Sequence, residues 1–118
     1  MKRTNHKIPM IYVAHPYNND PANADKVAKT IKRLYQTFRN TAFVSPIHGI
    51  CCDYEKTDYP HGLAYCLELL SRCDGLLVLG DKAAVAASKG VNAEMAFAIL
   101  KGLPITRAED WGLNHENG

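Results

Sequence analysis

Glu94 is the residue whose type and place first suggest chemistry. At helical spacing Val91, Met95, Ala98 and Gly102 form one row, with Phe97 and Leu100 expected close by. Glu94 comes three residues after Val91 and four before Ala98, inside the same apolar stripe. A carboxylate belongs on the wet side of a helix, because burying it unpaired costs several kcal/mol. An inward glutamate just behind a helix N-terminus is therefore a candidate for catalysis. Two structural explanations compete with it. A capping box from Ser88 needs an acid or amide at the third helical position, and that position is Val91. A helix starting later, at Asn92, would put Glu94 in the first turn, where it would only complement the helix dipole.

The residues ahead of Glu94 fit an anion. Ser88 and Gly90 open the helix, where free amides favour negative charge and a glycine lets an oxygen come close. Six residues of helix separate Ser88 from Glu94, roughly 9 Å of axis. A nucleotide spans a similar distance between its 5′ phosphate and its anomeric carbon. A carboxylate at that carbon supports glycosyl chemistry, as nucleophile or as stabiliser of an oxocarbenium-like transition state. Tyr12 could orient the glutamate, and His15 or His48 could serve the base or the phosphate. Each has an ordinary alternative: a core tyrosine in one case, hydrogen-bonded loop histidines in the other.

These side chains need a scaffold to position them. Met10–Ala14 reads as a short apolar strand covered on both faces, followed by His15, Pro16 and Tyr17. Asp20-Pro21 starts a helix expected to run to about Arg39, with Ala24, Val27, Ala28, Ile31, Leu34, Tyr35 and Phe38 inward. Thr41–Ser45 is the second strand. The stretch from Ile47 to Pro60, with His48, Cys51, Cys52, Asp53, Tyr54 and Asp58, fits a functional loop. A helix from about His61 to Arg72 leads to a third strand, Gly75–Leu79. A loop, the Ser88 helix and a fourth strand, Pro104–Thr106, complete the pattern.

Alternating strands and helices predict an α/β fold, a doubly wound parallel sheet of about four to five strands with helices on both faces. Such sheets bind ligands at the carboxyl ends of their strands, near the point where strand order reverses. His15, Pro16, Tyr17, Pro46, His48, Gly80, Asp81 and the Ser88 turn lie after strands and qualify. Asp74 precedes its strand and reads as a structural cap.

The chain of 118 residues predicts one domain over residues 10–113, with a flexible leader over 1–9 and a tail over 114–118. The tail region from Arg107 carries Trp111, which is placed to cover a sheet edge. A net charge of +2 gives no reason to expect a nucleic-acid polymer or a membrane surface as partner. No apolar run approaches the roughly 18 residues of a membrane span, so a cytoplasmic location is expected. Adjacent Cys51-Cys52 is poor metal-ligand spacing, and Cys66 and Cys73 are expected to pack as small apolar groups. Nothing in this reading requires a metal or a cofactor.

Four stretches together resemble the nucleoside 2-deoxyribosyltransferase-like superfamily: Ile11-Tyr-Val-Ala-His-Pro16, Cys73-Asp-Gly-Leu-Leu-Val-Leu79, Ser88-x-Gly-x-x-x-Glu94 and Gly102-Leu-Pro-Ile105. The small bacterial and phage branch is the nearest part of that group. The resemblance implies a flavodoxin-like sheet, a catalytic Glu94, and sites shared between subunits of a homodimer or larger oligomer. It also implies that Ser88, found as serine in the deoxynucleoside monophosphate N-hydrolases, binds a 5′ phosphate, and that Tyr12 matches their first-strand tyrosine. Two positions depart from the pattern. Cys66 stands where a second acid is usual, and His15-Pro16 replaces a turn of small residues. The expected function is cleavage, or sugar transfer, at the N-glycosidic bond of a nucleoside or deoxynucleoside 5′-monophosphate. The rival is a nucleotide-binding or sensing module that leaves its ligand intact. A flavodoxin-like electron carrier fits less well, because the loop after the first strand lacks a Ser/Thr/Gly-rich phosphate cradle.

Overall fold

A computed structural model of the chain describes residues 8–16, 20–46 and 59–113. The leader up to residue 7, Tyr17, the tail from residue 114, and His48, Cys51, Cys52, Asp53, Tyr54 and Asp58 of the expected functional loop lie outside the described residues.

Strand β1 (Met10–Ala14) is followed by helix α1 (Pro21–Thr37), strand β2 (Ala42–Val44), helix α2 (Tyr59–Ser71) and strand β3 (Gly75–Val78). Two consecutive helices, α3 (Lys82–Ala87) and α4 (Lys89–Lys101), lead to strand β4 (Ile105–Arg107) and a 3₁₀ turn, Ala108–Trp111. The four strands form one parallel sheet in the order β2-β1-β3-β4. The chain thus winds outward in both directions from β1, which makes the fold flavodoxin-like and puts its switch point between β1 and β3.

Side-chain alternation along β1 and β3 sorts the core into two layers. Tyr12, Ala14, Leu76 and Val78 join Cys66, Leu70, Cys73, Val91, Ala98 and Leu103 on the α2/α4 face. Val13, Leu77 and Leu79 join Val27, Leu34 and Ala108 on the α1 face. Trp111 also packs in that second layer, its ring edge-on to Phe38 and Phe43 at 5.0 and 5.4 Å between centroids. Its indole N–H donates to the Thr106 hydroxyl at 2.8 Å. The aromatic ring therefore closes a sheet face, where the sequence had suggested an edge.

Local chemistry explains the element ends. Asp20 caps α1 by accepting from the Ala22 amide at 3.0 Å, and Pro21 takes the first helical position. Gly102 ends α4 in the left-handed conformation, at φ 71°, while the Leu103 amide returns to the Ala98 carbonyl at 2.9 Å. Asp74 is the expected cap: its carboxylate accepts from the Met10 amide at 2.7 Å and ties the starts of β1 and β3 together.

Several expectations need correction. Residues 82–87 are helical, not loop. Six residues are too few to display a period, and alanine propensity with the Asp81 cap supplies the signal instead. Helix α1 ends at Thr37 and buries Val27, Thr30 and Leu34, while Ala28 and Tyr35 are exposed. Thr30 can turn inward because its hydroxyl donates to the Lys26 carbonyl at 3.0 Å. Tyr35 instead lies under the Arg39 guanidinium, 5.8 Å from ring centre to charge. Leu100 is 84% exposed, since nine residues of helix carry it about 180° around from Val91.

Candidate functional site

Helix α4 begins at Lys89, with Ser88 as its N-cap, so Glu94 lies beyond the first turn and the later start at Asn92 is ruled out. Its side chain points into the α2/α4 layer and is only 6% exposed. There it meets Tyr12, fully buried on β1, whose hydroxyl donates to Glu94 Oε2. Tyr12 and Glu94 are thus in direct contact. Cys66, buried on α2, belongs to the same core cluster as Tyr12. Three elements distant in sequence, β1, α2 and α4, converge in this layer.

This environment changes the acidity of both groups. Burial pushes the Glu94 carboxyl up to about 7, and the hydrogen bond from Tyr12 offsets part of that rise. Burial also pushes the Tyr12 phenol far above its ordinary range, with the Glu94 carboxylate and the Cys66 thiol acting in the same direction. Tyr12 therefore stays protonated and acts as a permanent donor. Glu94 can take either protonation state near neutrality.

The start of α4 is built around Ser88, which ends α3 and caps α4. Its amide donates to the Val85 carbonyl at 3.1 Å, and its Oγ accepts from the Val91 amide at 3.2 Å. The capping box is absent, as Val91 at the third position requires. Asn92 fastens the joint from the far side: its Nδ2 donates to the carbonyls of Val85, Ala86 and Ser88 at 3.0, 3.2 and 2.7 Å. At Gly90 an added Cβ would meet nothing within 4 Å, so the local packing does not itself demand glycine.

A second group forms at the carboxyl ends of β1 and β3, the switch point. His15 Nδ1 lies 2.7 Å from the Pro16 carbonyl oxygen, so this nitrogen carries the proton. Nε2 is buried, and among the described residues it has no partner. Burial lowers the His15 pKa, opposed by the Pro16 contact, while Lys26 lowers it further and Asp81 raises it. Asp81 is committed to capping α3, with Oδ1 accepting from the Ala84 amide at 2.8 Å. Gly80 has φ 104°, and a Cβ there would stand 3.0 Å from Pro16 Cδ, so the turn beside Pro16 requires glycine.

The structure thus brings Tyr12 to Glu94, gathers His15 and Pro16 with Asp81, and places Ser88 and Gly90 at the mouth of α4. His48 lies outside the described residues. Cys66 packs in the buried core, as expected of a small apolar residue. Sequence reading passed over Asn92 and Arg107. Arg107 donates from Nε to the Val78 carbonyl at 3.2 Å and from its terminal guanidinium nitrogen to the Gly80 carbonyl at 3.4 Å, bracing the turn after β3. A cation at the end of the last strand was the available signal. Among the described residues no cluster of His, Cys, Asp and Glu could hold a metal ion, and no helix is long and apolar enough to cross a membrane.

No family model matches the chain, and no curated protein matches it. Among solved structures it is similar to the crystal structure of a conserved protein from Enterococcus faecalis V583, with a TM-score of 0.67 and 22% identity. The likeness covers 85% of this chain but 62% of that one, so the chain spans about three-fifths of the neighbour's length. At this identity the similarity bears on the fold, which it supports.

Proposed function

We propose that this protein is an N-glycosidase, cleaving or transferring the sugar of a nucleoside or deoxynucleoside 5′-monophosphate through Glu94. The observation that carries the reading is the buried Glu94 carboxyl held by the Tyr12 hydroxyl, one and a half turns behind a helix start. In this mechanism a carboxylate oxygen bonds to the anomeric carbon as the C–N bond breaks. The leaving base keeps the electron pair and is protonated. Water, or a second base, then displaces the carboxylate from the sugar. Tyr12 fixes the carboxylate geometry. The hydroxyl proton of Ser88 and the amides of Lys89 and Gly90 receive the phosphate, since the cap uses only a lone pair of Ser88 Oγ. His15 Nε2, an acceptor in its present tautomer, faces a donor group of the base or sugar once the crevice opens. The resemblance to the deoxyribosyltransferase-like superfamily adds the oligomeric arrangement, with sites shared between copies of the chain.

Free-base release from a panel of nucleosides and 5′-monophosphates tests the reading. Wild type is expected to release base, with kcat/KM rising with pH through about 7 as Glu94 ionises. Glu94→Ala is expected to lose roughly a thousandfold or more, about 4 kcal/mol of barrier. No release by wild type, or equal release by the variant, would sink the catalytic role.

The same pocket without turnover is the second reading, favoured by one observation: a thiol, Cys66, occupies the place beside Tyr12. A nucleotide-sensing module would bind saturably in calorimetry and return its ligand intact.

A further inference from the structure

At the carboxyl ends of the strands, a series of contacts runs from β4 to β1. The last rung of the β3/β4 ladder pairs Val78 with Arg107, and the chain then turns away into the 3₁₀ turn at Ala108. Beyond that rung the Arg107 side chain takes over from the backbone. Its Nε donates to the Val78 carbonyl at 3.2 Å, and a terminal nitrogen donates to the Gly80 carbonyl at 3.4 Å. A planar fork that bridges two carbonyls holds the turn between them in one conformation. The neighbouring acids are committed elsewhere: Asp110 Oδ2 accepts from the Arg107 main-chain amide at 2.8 Å, and Asp81 Oδ1 caps α3.

The other side of the same turn carries His15. The Leu79 amide donates to the Ala14 carbonyl at 2.8 Å, so His15-Pro16 and Gly80 leave the sheet side by side. Gly80 lies so close to Pro16 that an added Cβ would stand 3.0 Å from Cδ and 3.5 Å from Cγ. The Pro16 carbonyl in turn holds the His15 Nδ1 proton at 2.7 Å, which leaves Nε2 a buried acceptor with no partner among the described residues. We propose that Arg107 is a positioning residue: by fixing the Gly80 turn against Pro16, it keeps the Pro16 carbonyl on His15 Nδ1 and Nε2 as the acceptor offered to a ligand. The imidazole has two neutral tautomers, and only the Nδ1–H form can accept at Nε2.

The first arm of the test needs no substrate. Nitrogen NMR shifts of the imidazole at pH 8, where burial keeps the ring neutral, distinguish the two tautomers. Wild type is expected in the Nδ1–H form. Arg107→Met releases the turn and should move the tautomer ratio toward Nε2–H by about fivefold, the worth of one hydrogen bond. Arg107→Lys keeps the charge but replaces the fork with one nitrogen, and should shift the ratio in the same direction. Thr106→Val disturbs the same strand by removing the partner of the Trp111 indole, but leaves the fork in place and should show the wild-type ratio. An Nε2–H ring in wild type, or a wild-type ratio in Arg107→Met, overturns the proposal. So does a wild-type ratio in Arg107→Lys, where charge alone would be acting, or an equal shift in Thr106→Val, which would mean general loosening of β4.

The second arm rests on the role proposed for His15 in the glycosidase reading. With a 5′-monophosphate that wild type cleaves, Arg107→Met should raise KM roughly fivefold to tenfold and leave kcat nearly unchanged, because the Tyr12–Glu94 contact is untouched. A shifted tautomer with an unchanged KM removes His15 from the ligand site and overturns the proposal. If the tautomer responds as expected but wild type releases no base, the glycosidase reading falls while the link from Arg107 to His15 stands. If base is released with a wild-type KM and an unmoved tautomer in Arg107→Met, the reverse holds.

Discussion

The two faces of the sheet are made by alternate residues of the same strands, yet they solve different problems. The core of the α1 face is apolar but for Thr30: Val13, Leu77 and Leu79 meet Val27, Leu34 and Ala108, and Trp111 stacks edge-on against two phenylalanines. The α2/α4 face has a comparable apolar frame but carries Glu94, Tyr12 and Cys66 within it. Among the described residues the core cluster of the first face holds no titratable side chain, and packing sets its contribution. On the second, stability depends on proton binding. A fold that needed only to hold itself together would fill both layers in the first way.

The largest expected effect breaks the packing face alone. Leu77→Ala removes a fully buried side chain and should cost about 2–5 kcal/mol in denaturant unfolding. That loss is expected to be the same at pH 5 and pH 8, because among the described residues no ionisable group belongs to that core cluster. A pH-dependent loss would show that the two faces are coupled through the strands.

Next in size is the reciprocal change. The Glu94 carboxyl rises from its ordinary 4.5 to about 7 on folding, so the native state holds the proton more tightly than the unfolded chain. The stability tied to that proton is complete below about pH 4.5 and is lost as pH rises through about 7. A shift of this size corresponds to about 3 kcal/mol. Glu94→Gln should therefore match wild type near pH 4.5 and exceed it by up to about 3 kcal/mol at pH 8, measured by urea titration. Catalysis by an ionised Glu94 would run in the window where the fold pays this penalty. Equal pH dependence in wild type and variant would mean that the acid is not held out of solvent.

Much of this contrast was legible in the residues. Glu94 stood out because a charge in an apolar helical row violates the pattern around it, and Tyr12 was marked by its place on the first strand. The parallel, doubly wound layout followed from alternating strand and helix patterns, whose periods local sterics impose. What stayed hidden has a physical reason in each case. Thr30 looks polar in sequence, but a hydroxyl that bonds its own helix can be buried cheaply. Helix α3 is shorter than two turns and shows no periodicity to detect. The commitment of Asp81 to a helix cap, in place of a free carboxylate at the crevice, was equally invisible while residues 82–87 read as loop.

Tyr12→Phe sharpens the comparison from within the polar face. It leaves the ring and its packing but removes the donor to Glu94, whose bond holds the carboxyl pKa down. The Glu94 titration and the activity profile should both move to higher pH, and stability at pH 8 should fall by about 1–2 kcal/mol. The same substitution should change stability little at pH 4.5, where Glu94 is protonated. A loss of equal size at both pH values would mark Tyr12 as a packing residue, as on the opposite face.

The smallest effect separates fold from ligand at the mouth of α4. Gly90 sits in the second helical position, and an added methyl group there meets no other atom within 4 Å. Glycine costs a helix roughly 0.5–1 kcal/mol relative to alanine, so Gly90→Ala should stabilise the free protein by up to about that amount. A phosphate bound on the first amides of the helix needs that open space, because its oxygens must come within hydrogen-bond distance of the backbone. Gly90→Ala should therefore weaken binding of a 5′-monophosphate in calorimetry while leaving the corresponding nucleoside nearly unaffected. Higher stability with both affinities unchanged would remove the phosphate from this helix and leave Ser88 as a cap alone. Weaker binding of both ligands would instead point to a disturbed pocket around Glu94. The substitution thus weighs a methyl group's local gain in helix stability against its steric cost to a ligand, two quantities of opposite sign that one variant reports together.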